Sequence, residues 1–178
     1  MAGVRTIVLA AAGFAALIAA SAGAVRSLQF SYAHPTPEEY MQHLGGKGQL
    51  SPAGALSYDD TAFNCARFPT IFDPTMKDYG AAYFGFIMLN KERFEQMPLT
   101  LKRYAYTHEC GHQYVGFNED DADCYAIRRG RKDGWLDSAA LDEICAFISR
   151  SKGDGVHALG EQRCEKMRQC YSDAARNS

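Results

Sequence analysis

No CxxC pair, no repeat of 20–50 residues, no collagen-like period and no excess of positive charge is found along the 178 residues of the chain. The first absence excludes a zinc ribbon and a thioredoxin-type redox motif. The second excludes solenoids and propellers, and the lack of low-complexity tracts argues against disorder. Nineteen basic residues against 21 acidic ones give a net charge of −2, so a nucleic-acid-coating protein is excluded and no nucleic-acid partner is expected. With 47% hydrophobic and 22% charged residues, the composition is that of a globular domain, and the length fits one.

Charge is missing altogether from residues 6–25. The first 24 residues hold 18 apolar ones, with Arg5 ahead of an Ala- and Leu-rich run that ends in Ala20-Ser21-Ala22-Gly23-Ala24. A basic start, an apolar stretch and two A-x-A sites, after Ala22 or after Ala24, read as a secretory signal peptide. The same uncharged run is just long enough to span a bilayer, so an uncleaved anchor is the alternative. Only then is a membrane a partner. In both cases the body of the protein lies outside the cytoplasm, as a periplasmic, secreted or anchored domain.

Export decides how the cysteines read. Cys65, Cys110, Cys124, Cys145, Cys164 and Cys170 all follow the signal, and an even set in an oxidising compartment suggests disulfides. Cys164 and Cys170 stand six apart on an expected helix, about 240° round its axis, so each is expected to pair elsewhere.

Three segments follow from the pattern: a signal at 1–24, a tether with a short helix at 25–59, and the functional domain at 60–178. Thr36 as N-cap, Pro37 at the first helical position and Glu38-Glu39 start the short helix, which runs to about Leu44. Strands are expected at 68–72 and at 81–89, the latter aromatic and apolar. Helices are predicted at about 98–115, with Gly116 as the stop, at 120–131 with Asp120 or Asp121 as its cap, and at 159–174. Another, capped by Asp137 or Ser138, carries an apolar face of Leu141, Ile144, Cys145 and Ile148. The fold class is α+β, mostly helical, with a small sheet ahead of the central helix.

That central helix contains His108-Glu109-Cys110-Gly111-His112, an HExxH. Residues four apart share a helix face, so both imidazoles can bind one Zn²⁺ while Glu109 reaches a water activated there. Cys110 lies about 200° from either His and faces away. Tyr104, Tyr106, Tyr114 and Tyr125 can each offer a phenol or simply pack. A catalytic zinc needs a third protein ligand, and Glu119, Asp120, Asp121 and Asp123 are the next candidates. On a continued helix Glu119 would lie about 10 Å along the axis from His112, so the chain has to turn back near Gly116.

These residues resemble the gluzincin-type zinc metallopeptidases, in particular the HtpX-like branch and the bacterial neutral zinc metallopeptidases. Those carry HExxH followed by E-x-x-A-D, which here reads Glu119-Asp120-Asp121-Ala122-Asp123. The likeness covers about residues 79–171. It implies a zincin-like domain with one Zn²⁺ per chain, Glu119 as third ligand and Asp123 as the carboxylate that orients a ligand histidine. Many relatives also carry a later H-P-x4-R, matched in spacing by His157 and Arg163. The likeness implies His157 as an oxyanion stabiliser and Arg163 as partner of the site carboxylates. Only six residues separate His112 from Glu119, against tens in most relatives, which keeps Asp120 and Asp123 as alternative ligands. In zincins an edge strand beside the helix pairs with the substrate, a position residues 81–89 can fill.

The expectation is therefore an exported zinc metallopeptidase acting on a peptide or protein substrate. The alternative is a disulfide-stapled binding or assembly module on the same scaffold, without turnover.

Overall fold

The computed structural model describes residues 34–176, so the expected signal segment and the start of the tether lie outside the described residues. The first element, α1 (Pro37–His43), is capped by Thr36 and closed by a reciprocal Glu39 hydrogen bond, the capping box that its sequence spells. Six short strands follow: β1 (Gln49–Ser51), β2 (Leu56–Tyr58), β3 (Thr61–Phe63), β4 (Thr70–Phe72), β5 (Gly80–Tyr83) and β6 (Phe86–Leu89). Helices α2 (Lys91–Glu95), α3 (Leu99–Val115), α4 (Glu119–Lys132), α5 (Ser138–Ile148) and α6 (Gly160–Arg176) complete an α+β fold in which the sheet precedes the long helices.

The main sheet runs β1-β4-β6-β5, parallel only between β4 and β6, while β2 and β3 form a separate hairpin. Residues 49–58, next to the short helix, thus supply two strands that pair with later ones. The single strand expected at 81–89 is instead the β5–β6 hairpin, with Tyr83 opposite Phe86. Gly85 breaks the run: it takes φ of 111° in the two-residue turn, a conformation that side chains disfavour.

β6 is buried on both faces, and its side chains alternate between two cores. Ile87 and Leu89 join Phe63, Phe94, Ile127, Ile144 and Met167 beneath the long helices. Phe86 and Met88 join Ile71, Tyr40 and Leu44 under α1. The second core is what makes α1 part of the domain.

Three disulfides cross-link these layers: Cys65–Cys110, Cys124–Cys170 and Cys145–Cys164. Cys164 and Cys170 each pair elsewhere, and Cys110 points away from the histidine face into a cystine. Such a set fits an oxidising, extracytoplasmic environment. Among the described residues no helix is long and apolar enough to cross a membrane.

Candidate metal centre

His108 and His112 are buried on one face of α3 with edge-to-face rings 4.9 Å apart. Helix α4 returns across that face because Gly111 lets it. A Cβ at 111 would stand 3.3 Å from the Ala122 backbone and 3.1 Å from the Tyr125 ring. The cap of α4 is Asn118, which accepts from the Asp121 amide, and not Asp120 or Asp121 as the acidic run suggests. The helix consequently begins at Glu119, whose side chain is fixed in the first turn and aimed back at α3.

One Glu119 oxygen lies 3.1 Å from His108 Nε2 and the other 3.6 Å from His112 Nε2. His157, in the segment before α6, brings a third imidazole, with Nε2 also 3.1 Å from the Glu119 carboxylate. Possible ligand atoms of His108, Glu119 and His157, and those of His108, Glu109 and His112, lie within 4.8 Å of one another in each group. Asp123 points to the other side of His108, and Asp120 belongs to neither group.

The Nδ1 atom of each of the two α3 histidines faces an acceptor. His112 Nδ1 lies 2.8 Å from the Gly116 carbonyl, which can only accept, so Nδ1 carries the proton. His108 Nδ1 lies 2.8 Å from the Asp123 carboxylate and donates in the same way. Both arrangements leave Nε2 to face Glu119, the orientation that metal-ligating histidines need. Two imidazole Nε2 atoms and one carboxylate, opening on a cleft, are a donor set that fits catalytic zinc.

Asp123 is fully buried and held from several sides. Arg163 donates to both of its oxygens at 2.8 Å, and the Tyr104 hydroxyl donates at 2.5 Å. Burial would raise its pKa, but Arg163 and His108 hold it at about 2. Burial resists protonation of His108, yet hydrogen bonds to Asp123 and Glu119 push it up to about 10. Glu119 is opposed by burial and held far below the usual carboxylate range by His108 and His157. His112 is lowered by burial against the pull of Gly116. The two carboxylates thus draw positive charge into the space between the rings.

Glu109 is half-buried beside this cluster, 4.0 Å from His112 Nε2, and desolvation pushes its carboxyl up to about 7 against the attraction of His108. Edge strand β5 passes so close that a Cβ on Gly80 would stand 3.0 Å from Glu109 Cγ. Gly80, Glu109, the ring nitrogens and Phe147 line one cleft of about 600 Å³.

His108, Glu109, His112, Glu119, Asp123, His157 and Arg163 are all brought together. Of the four tyrosines, Tyr104 alone touches Asp123; it stands one turn before His108, so its face was readable although its partner was not. Asp154, missed from the sequence, fixes His157 by accepting from its backbone amide at 2.8 Å and lying 3.1 Å from its Nδ1. Gly111 was also missed. The cysteines stay in cystines outside the donor set. Compared with known proteins, the chain matches no family model, no curated protein and no solved structure.

Proposed function

We propose that the protein is an exported zinc-dependent peptidase, with His108, His112 and Glu119 as zinc ligands and Glu109 as the catalytic base. The observation that carries this reading is the convergence of three donor groups and a separate, largely enclosed carboxylate on one cleft bordered by β5. The gluzincin-type resemblance of HExxH and E-x-x-A-D supports it.

When bound, zinc lowers the pKa of water towards neutrality and polarises a carbonyl. Residues of the chain supply the rest. The substrate backbone extends along β5, the end strand of the sheet among the described residues. Glu109 takes the proton of the attacking water and passes it to the departing amine. His157 hydrogen-bonds the developing oxyanion. Asp123, oriented by Arg163 and Tyr104, keeps the His108 ring in register. Removal of the signal places the domain in the periplasm or the medium.

The test is Glu109→Gln in zinc-loaded protein, assayed on an unfolded protein and on a peptide library. Zinc content is expected to stay at one per chain while cleavage falls at least 10³-fold, the order typical of a lost general base. Cleavage retained by the variant would overturn the assignment, and wild-type zinc binding without any cleavage would favour the non-catalytic module.

A further inference from the structure

Helix α6 has little apolar surface of its own to bury. Among its described side chains, Arg163, Met167 and Cys170 are buried, while Cys164 and Tyr171 are half-buried against the core. Its inward face is therefore one methionine, one half-buried tyrosine, one guanidinium and two half-cystines. Met167 and Tyr171 are a small apolar contribution against the ordering of a helix this long. The cystines add covalent attachment: Cys164 joins it to Cys145 on α5, and Cys170 joins it to Cys124 on α4. The attachment also falls on the site. One half of each cystine directly follows a member of the cluster, at Glu109-Cys110, Asp123-Cys124 and Arg163-Cys164.

Resting on the metal-centre reading above, we propose that α6 is a thiol-releasable clasp: reduction of its two cystines withdraws Arg163 from Asp123 and loosens the zinc site. Arg163 is the bidentate partner of a carboxylate with no solvent contact. Asp123 in turn orients the His108 ring. With Arg163 gone, Asp123 keeps a buried charge with only Tyr104 and His108 against it, a situation a folded protein avoids by moving or protonating the group. The aim of the His108 Nε2 lone pair goes with it, and loss of such an outer partner weakens metal binding about 10–100-fold. His157 lies in the segment that connects α5 to α6 and is freed by the same release.

The chemistry is thiol–disulfide exchange with a dithiol. Its thiolate attacks Cys164, the half-buried member, which lines a surface hollow with Ser149, Glu161 and Arg168. Cys145 leaves as a thiolate. The second thiol of the reductant then closes the reductant's own disulfide and frees Cys164. Two electrons and two protons pass to the protein, and Cys124–Cys170 follows by the same exchange once α6 loosens. In a thiol-rich compartment the chain holds zinc weakly; the site tightens where the cystines form.

The experiment titrates the full chain with dithiothreitol and re-oxidises it with oxidised glutathione. Zinc affinity is read by competition with a chromophoric chelator, and backbone protection by hydrogen exchange. Reduction is expected to strip protection from α6 and residues 149–159 while α3 keeps its own, and to weaken zinc binding at least tenfold, with recovery on re-oxidation. Arg163→Met in oxidised protein is expected to weaken zinc binding similarly without exposing α6, and Arg163→Lys to recover part of it. The proposal is overturned if zinc affinity is unchanged with α6 released, or if α3 loses protection in step with α6. Neither readout is turnover, so an oxidised chain that holds zinc and cleaves nothing overturns the peptidase reading alone. A chain that holds no zinc when oxidised overturns both.

Discussion

Gly111 on α3 faces the backbone of Ala122 on α4 at a separation that would hold even a Cβ tightly. The contact sets how far Glu119 stands from the two histidines. An alanine at 111 gains about 1 kcal/mol of helix propensity and meets Tyr125 and Ala122 at 3.1 and 3.3 Å. Gly111→Ala is therefore expected to be near neutral in urea unfolding but to bind zinc more weakly. Gly111→Leu overpacks the crossing and is expected to cost about 1–3 kcal/mol. Unchanged zinc affinity in both variants would remove the crossing from the account of the site.

Zinc bound only by the folded chain stabilises it by about 2.7 kcal/mol at a free concentration 100 times its dissociation constant. In a chain of this size that raises Tm by about 5–10 °C. Glu119→Ala is expected to abolish the shift and to bring zinc below half an equivalent by metal analysis. Asp120→Ala is expected to leave both intact, because its side chain has no place in the donor set.

Gly80 is the point where β5 meets Glu109, the proposed base. A valine there would press on Glu109 Cγ at 3.0 Å and on the buried Leu89 at 3.2 Å, pushing the Glu109 carboxylate out of place towards the cleft. Gly80→Val is expected to cut cleavage more than tenfold while zinc content stays at wild type. The pair of measurements separates displacement of Glu109 from damage to the ligands.

Away from the site, Asp73 accepts hydrogen bonds from the Thr75 amide and hydroxyl and from Tyr40. Burial pushes its pKa up, but these donors outweigh burial and the net shift is downward. A depressed carboxylate contributes stability that is present above the unfolded value, about 3.9, and that is lost as pH falls through the folded value. Asp73→Asn is expected to cost about 1–3 kcal/mol at pH 7. The gap between variant and wild type should narrow below about pH 4 in unfolding titrations; a constant gap would dissociate the carboxylate charge from the effect.

Local signals in the chain are strong where they act over one turn. The HExxH pair, the α1 capping box and the Gly116 stop are periodic or adjacent features, and α3, α5 and α6 lie within a residue or two of their expected bounds. Long-range partnership is less legible. Nothing near Tyr104 announces that its hydroxyl meets Asp123, 19 residues away. The β5–β6 hairpin was hidden because both strands are apolar and Gly85 looks like any glycine inside a run. The acidic stretch at 119–123 suggested several caps, and the resemblance named Glu119 as ligand with Asp120 and Asp123 as alternatives; the crossing at Gly111 is what aims Glu119 back at the two histidines. The pairing of six cysteines is likewise a property of the folded layers and cannot be read from their spacing.

One anchor of the centre is made of backbone. His112 Nδ1 is held by the carbonyl of Gly116, four residues on, and no substitution elsewhere removes that oxygen. Chain length is what can. Six residues lie between His112 and Glu119, and they must deliver both the carbonyl and the carboxylate to the same imidazole. Composition in this connection is free to drift, whereas an inserted or deleted residue would throw both out of register at once.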